Sequence, residues 1–395
     1  MNLLFREPVL VVAPHLIHPA VNGSDISLER VARYLSQYAP FTDLISCNSI
    51  RRYRDGEVER EQIFDNQLRS RWNAAIRTVL FRSHYLHERF NTSIITHKVG
   101  EQISMERYCV ILASYLVTLP LLPTSIEARC FVWTHNDEFK WFEDLAQSSR
   151  NFIGRTVARL SLQWLYRQVP ALARQAVFIH VSETDRDGFE RVVADHRNLT
   201  VSVGTDIDAT VNHKDCPKAE RIVLTFIGTL GVRMALDALR HFHNKFQPTL
   251  RTTFREQLLV RVIGSNPLRS VRELCAKEGW DLRANVSDEE LSTLLSESTF
   301  TFLPFAYATG SKLKLIRSLG SGVPFLSTLA ARPPHFITPV GCCFSNDPND
   351  WVKAVHAWQE ANKESARKEL LACAQTYAWP VVIEKMANSI LAFPK

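Results

Sequence analysis

Short apolar runs alternate with stretches of helical periodicity from one end of the chain to the other. PVLVVAP, positions 8–14, reads as a strand buried on both faces. The segment from Ile26 to Tyr38 reads as a helix with Leu28, Val31, Ala32 and Leu35 on one face. LISC, the run around CVILAS, CFVWTHN, VFIHVS and LTVSV continue the strand series through the first half. The sequence turns polar between Asp206 and Arg221, and a second series follows: RIVLTFIG, LLVRVIG, the segment near Trp280, TFTFLPF and VPFLST, with a helix from about Lys312 to Leu319. Strands alternating with helices predict parallel sheets wrapped by helices, so the fold class is α/β with two doubly wound domains. No short internal repeat and no low-complexity tract interrupts the pattern.

Length agrees with that division, because 395 residues exceed what one hydrophobic core usually serves. An apolar fraction of 46% with 22% charged residues excludes a large disordered tract. The predicted domains span 1–207 and 219–375, with a final helix in 376–395. Sheets of this kind bind ligands beyond the C-terminal ends of their strands, so the predicted site is a cleft shared by the two domains.

Eight cysteines carry no C-x-x-C spacing, and the adjacent pair Cys342 and Cys343 cannot share a tetrahedral metal. Reduced core thiols are the plain reading. Arg6 and Glu7 break any signal-peptide pattern before the first apolar run, and a reducing cytoplasm fits. The uncharged stretch from Tyr108 to Ile126 is long enough for a membrane span, but Pro120, Pro123, Ser114 and Thr118 favour a buried strand running into a loop.

Net charge is modest at +6, but it is unevenly placed. From Arg69 to Phe90 five arginines face the single acid Glu88, interleaved with Trp72, Ile76, Val79, Leu80, Phe81 and Tyr85. That spacing suits an amphipathic helix with a basic face. Two meanings remain open: peripheral contact with an anionic membrane, or a solvated face covering its own domain. No nucleic-acid motif accompanies the charge.

The segment from Ala306 to Thr328, AYATGSKLKLIRSLGSGVPFLST, is the most informative for chemistry. A loop bearing Thr309, Gly310 and Ser311 leads into an apolar-periodic helix, which gathers free backbone N–H groups where phosphate oxygens can bind. Lys312 and Lys314 add charge beside it. The competing reading is a Thr-Gly-Ser turn that only caps a helix. Gly228 and Gly264 each end an apolar strand, where a missing side chain either admits a nucleotide or simply makes a turn.

This segment resembles the C-terminal signature of retaining GT-B glycosyltransferases, the group 1 or family 4 type, with Gly310, Lys312, Leu313, Lys314, Gly322, Pro324 and Thr328 in register. Other resemblances follow in family order: the loop at Gly23 and Ser24, THNDE from Thr134, VSETD from Val181, VGTDID from Val203, FIGTL from Phe226, and Trp379 before the last helix. The resemblance implies the GT-B fold, two Rossmann-like domains facing a central cleft, with the C-terminal helix crossing back to the N-terminal domain. It implies donor contacts from Gly23, Ser24, Gly228, Thr229, Arg233, Gly264, Thr309, Gly310, Ser311, Lys312, Lys314 and Arg317. His135 is the implied catalytic residue near the transferred sugar, with a loop-fixing histidine as the bland alternative. Asp137 and Glu138 are the acceptor-side candidates. Where many relatives carry two glutamates eight positions apart, this chain has Thr309 and Arg317, so a ribose-binding acceptor is replaced by an obligate donor.

The implied activity is metal-independent transfer of a hexosyl unit, with retention, from a nucleoside diphosphate sugar to a glycan or lipid-linked acceptor in polysaccharide biosynthesis. No cofactor is implied beyond the nucleotide sugar. No Asp-x-Asp cluster stands in the cleft loops to hold a metal, since Asp206 and Asp208 lie by the predicted linker. Two other functions remain compatible: a silent binding subunit that keeps the fold, which Arg317 favours, and a sugar-nucleotide epimerase.

Overall fold

The computed structural model describes residues 3–17, 23–122, 128–149, 151–194, 196–207, 221–306, 313–333 and 336–393. They divide into two compact units, one running to Val203 and resuming at Trp379, the other running from Gly204 to Ala378.

The first unit holds an eight-stranded sheet: β1 (Val9–Val12), β2 (Thr42–Ile45), β3 (Ser49–Arg54), β4 (Glu57–Ile63), β5 (Val110–Ser114), β6 (Arg129–Thr134), β7 (Val177–His180) and β8 (Asn198–Thr200). Its order is β4-β3-β2-β1-β5-β6-β7-β8, so the chain reverses its direction of winding between β1 and β5. Parallel strands covered on both faces must be apolar throughout, which is why β1 and β5 are buried at every position. Leu10, Val12, Ile111, Ala113 and Val132 share one core with Leu165 and Val169 of the helix Phe152–Leu172. The helix Trp379–Ala392 packs on the helix Gly23–Leu35 within the same unit.

Two strands depart from the parallel pattern. β3 and β4 form an antiparallel hairpin whose turn, Asp55-Gly56, takes positive φ at both residues, the backbone that favours Asp-Gly in tight hairpins. β4 is exposed along its whole length and charged, a composition that keeps a free sheet edge from pairing with another chain.

The segment predicted as one basic helix is two, Arg71–Phe81 and Tyr85–Phe90, broken where Arg82 turns left-handed. Glu88 is buried and pairs with both Arg69 and Arg77, so part of the apparent basic face is neutralised internally. The stretch from Tyr108 contains β5 and a 3-10 turn, Leu116–Leu121. No helix among the described residues is long and apolar enough to cross a membrane.

The second unit holds a wholly parallel six-stranded sheet: β9 (Ile222–Thr229), β10 (Leu258–Ser265), β11 (Asp281–Ala284), β12 (Phe300–Leu303), β13 (Phe325–Ser327) and β14 (Cys343–Phe344), ordered β11-β10-β9-β12-β13-β14. The winding reverses between β9 and β12. Its core is aromatic: Phe226, Phe242, Phe300 and Phe302 are buried together, and Phe246 stacks on Trp351 at 4.0 Å. The helix predicted from Lys312 is described as Leu313–Gly320, and the turn that follows it includes Gly322, whose φ of 63° suits glycine.

Candidate functional site

In each unit the predicted residues gather at the C-terminal ends of the strands beside the winding reversal, where sheets of this type bind ligands.

The second unit's edge is built from β9, β10 and the segments after β12. Lys314 lies in the first turn of the helix Leu313–Gly320, and its Nζ sits 5.1 Å from the centre of the Phe305 ring and 5.8 Å from that of Phe226. Two aromatic faces thus hold the ammonium by cation–π attraction. A Cβ on Gly228 would stand 3.2 Å from that same Nζ, so the glycine leaves the room that the lysine occupies. Gly264 has a different reason. Its Cβ would lie 1.7 Å from the Gly228 carbonyl oxygen, so the close pairing of β10 with β9 requires glycine there.

The rest of the signature segment works as scaffolding. The Thr328 hydroxyl donates to the Phe305 carbonyl at 2.6 Å, and the Ser318 hydroxyl donates to the Val323 carbonyl at 2.7 Å. The first bond fixes the end of β13 against the segment that carries Phe305, and the second closes the turn between the helix and β13. Arg317 is half-buried on the same helix and makes no ion pair among the described residues. Thr229 ends β9 and is exposed. Arg233 opens the helix Arg233–His241 and pairs with Asp237 at 3.3 Å. Thr309, Gly310, Ser311 and Lys312 lie outside the described residues, as does Asp208. Gly23 and Ser24 form the start of their helix.

The first unit's edge carries His135, just beyond β6. Its Nε2 lies 3.0 Å from the Ser114 hydroxyl at the end of β5. Its ring packs 4.3 Å from Tyr115 and 4.5 Å from Trp133, with His15 of the segment after β1 at 6.5 Å. Burial, reinforced by His15, holds the His135 imidazole well below the usual histidine range, so it is neutral at pH 7, with one donor and one acceptor nitrogen.

The two carboxylates next to it have internal partners. Asp137 caps the helix Glu138–Ser148 by accepting from the Lys140 N–H at 3.0 Å, and burial raises its pKa. Glu138 is only 3% exposed and accepts from the Leu116 N–H at 2.8 Å. Burial pushes its carboxyl up to about 8.

Sequence reasoning missed Tyr115. Its φ of 67° and ψ of 154° fall in a region otherwise used by glycine, at a cost of about 1–3 kcal/mol. Three bonds from one segment hold it there: the Trp133 carbonyl accepts the Tyr115 N–H at 3.0 Å, His135 meets Ser114, and Glu138 accepts from Leu116. Nothing in the sequence signals this backbone, whereas His15, three positions beyond a buried strand, was visible as a residue type at a strand end.

Comparison with known proteins agrees with this fold. Residues 221–360 match the family model described as glycosyl transferases group 1. No curated protein matches the chain. Among solved structures, sucrose-phosphate synthase from Thermosynechococcus elongatus is similar at 14% identity with a TM-score of 0.65, covering 98% of each chain. The catalytic domain of starch synthase IV from Arabidopsis thaliana, bound to ADP and acarbose, is similar at 13% identity and TM-score 0.63, covering 98% of this chain and 100% of its own. The trehalose-6-phosphate protein from E. coli bound with UDP-2-fluoro glucose is similar at 10% identity and TM-score 0.66, covering 98% and 99%. Identities this low carry the fold and leave the chemistry to the residues. The chain has the GT-B fold, with two Rossmann-like units, and its residues 221–360 are similar to the glycosyl transferases group 1 family.

Proposed function

We propose that this protein is a metal-independent glycosyltransferase that moves a hexosyl unit from a nucleoside diphosphate sugar, with retention of configuration, to a glycan or lipid-linked acceptor. The observation that carries the reading is Lys314, held by Phe226 and Phe305 over the strand edge of the family-matched unit, with Gly228 leaving its space open. In this reading Lys314 and Arg233, with Thr309, Gly310, Ser311 and Lys312, which precede the helix Leu313–Gly320 in the sequence, stabilise charge developing on the departing diphosphate. Preorganised donors of this kind act without a metal. Gly23, Ser24 and Thr229 line the donor, while Gly264 contributes through the backbone pairing it permits. His135 contacts the transferred sugar as a neutral imidazole, and Asp137 and Glu138 act by holding the acceptor-side loop. That known structures of this fold carry ADP or a UDP sugar supports the choice of ligand.

We assign the protein to the cytoplasm, with peripheral contact at an anionic membrane surface. The support is the exposed apolar cluster on the helix Arg71–Phe81, where Leu80 is 70% and Phe81 60% exposed, with Phe152 at 80% on the helix that packs beside it. Isolated exposed apolar residues are ordinary, but a cluster flanked by arginines suits lipid headgroups.

The test is a panel of nucleoside diphosphate sugars offered to the purified protein, with thermal stabilisation and nucleoside diphosphate release as readouts. One donor that both stabilises and turns over supports the transferase. A donor that binds without turnover, with any acceptor, sinks it and favours the silent binding subunit, a reading to which Arg317 in place of a ribose acceptor lends weight. Product formed from the donor alone, with inverted sugar stereochemistry, would instead identify an epimerase.

A further inference from the structure

We propose that His15 and Tyr115 form a second sugar-contacting wall beside His135, with the His15 imidazole hydrogen-bonded to a hydroxyl of a bound sugar. The inference rests on the transferase reading and names a contact within its site.

Three observations lead to it. Both ring nitrogens of His15 are shielded from solvent and neither has a hydrogen-bond partner among the described residues. Buried polar groups are nearly always satisfied in folded proteins, so a side chain with two orphaned nitrogens asks for a partner from outside the chain. The ring stands edge-on to Tyr115 at 4.4 Å, and Tyr115 in turn lies 4.3 Å from His135, so the three rings form one continuous surface at the ends of β1, β5 and β6. Tyr115 keeps its costly backbone only because Trp133, His135 and Glu138 hold both sides of it, and strain so firmly held marks functional surfaces.

The chemistry fits a sugar rather than a phosphate. Burial lowers the His15 pKa to about 3, so its imidazole is uncharged at neutral pH and offers one donor and one acceptor. A hydroxyl group, which is both donor and acceptor, matches either nitrogen, whereas a phosphate dianion would call for cations. An aromatic neighbour supplies the apolar face that sugar C–H groups pack against. The sugar belongs either to the donor or to the acceptor, and the kinetics separate the two.

The experiment compares wild type with His15→Phe and His15→Asn, measuring thermal stability, donor hydrolysis without acceptor, and transfer to a panel of mono- and disaccharides. His15→Phe removes the orphaned nitrogens while keeping a ring, so it should be at least as stable as wild type. It should nonetheless lose about tenfold or more in kcat/KM, and His15→Asn should recover part of that loss. A loss already seen in donor hydrolysis assigns the contact to the donor sugar; a loss confined to transfer assigns it to the acceptor. His15→Phe with wild-type turnover, or with a clearly lower melting temperature, overturns the inference and leaves the transferase reading standing. Wild-type protein that turns over no nucleotide sugar, and whose His15 ring resonances ignore UDP-glucose, ADP-glucose and GDP-mannose, overturns both.

Discussion

Replacing Glu138 by Gln should flatten the dependence of stability on pH in a defined window. Burial raises the Glu138 pKa from 4.5 to about 8, so the folded protein holds a proton there that the unfolded chain has released. The sign follows from linkage. A raised pKa contributes stability that is fully present below pH 4.5 and is lost as pH rises toward 8. Over that window wild type should lose about 1.4 kcal/mol per pH unit from this group, on the order of 4 kcal/mol in all. Gln has nearly the same shape and keeps an oxygen to accept the Leu116 N–H, but it does not titrate. The two proteins should therefore be similar near the acid end, and the variant should become progressively more stable than wild type toward pH 8. The lowered pKa values of His15, His135 and His180 give the opposite slope on acidification, but both proteins share them and they cancel in the difference. Urea denaturation at several pH values, read as the difference between the two proteins, measures this. Parallel profiles, or a variant that loses ground as pH rises, would refute a buried, proton-holding Glu138.

Gly264→Ala should destabilise by about 3 kcal/mol or more, because its methyl group would overlap the Gly228 carbonyl oxygen, a backbone atom that cannot turn aside; chemical denaturation checks this, and a change below about 0.5 kcal/mol would show that the strand pairing is looser than described. Leu80→Ser combined with Phe81→Ser should leave thermal stability nearly unchanged, since both side chains are already exposed, yet abolish co-sedimentation with phosphatidylglycerol vesicles. Equal sedimentation of variant and wild type would remove the support for membrane contact.

Much of the fold was legible because buried parallel strands are nearly continuous apolar runs, and β1, β5, β9 and β12 announce themselves that way. The hairpin of β3 and β4 was not read, although Asp55-Gly56 is a strong turn signal. β4 is charged and exposed throughout and β3 carries three arginines among its six residues, so the apolar pattern is silent there. LTVSV was read as a strand, yet only Asn198–Thr200 pairs. The basic segment was read as one helix because arginine spacing says nothing of a buried partner such as Glu88. Residue type and position singled out His135, Gly228 and Lys314, which the structure places just beyond β6, near the end of β9 and in the first turn of the helix Leu313–Gly320. Glu138 was visible as a residue, but its buried bond to Leu116 depends on a segment 22 positions away. The strain at Tyr115 likewise comes from tertiary contacts that no local pattern encodes.

The central claim is that the strand edge carrying Lys314 holds a nucleoside diphosphate. Calorimetric titration of UDP, ADP and GDP into wild type and Lys314→Ala tests it most directly. The account predicts that one of the three binds wild type and that the variant binds it about tenfold more weakly or worse, with a diminished dependence on salt. Failure of all three to bind, or equal affinity in the two proteins, would contradict it.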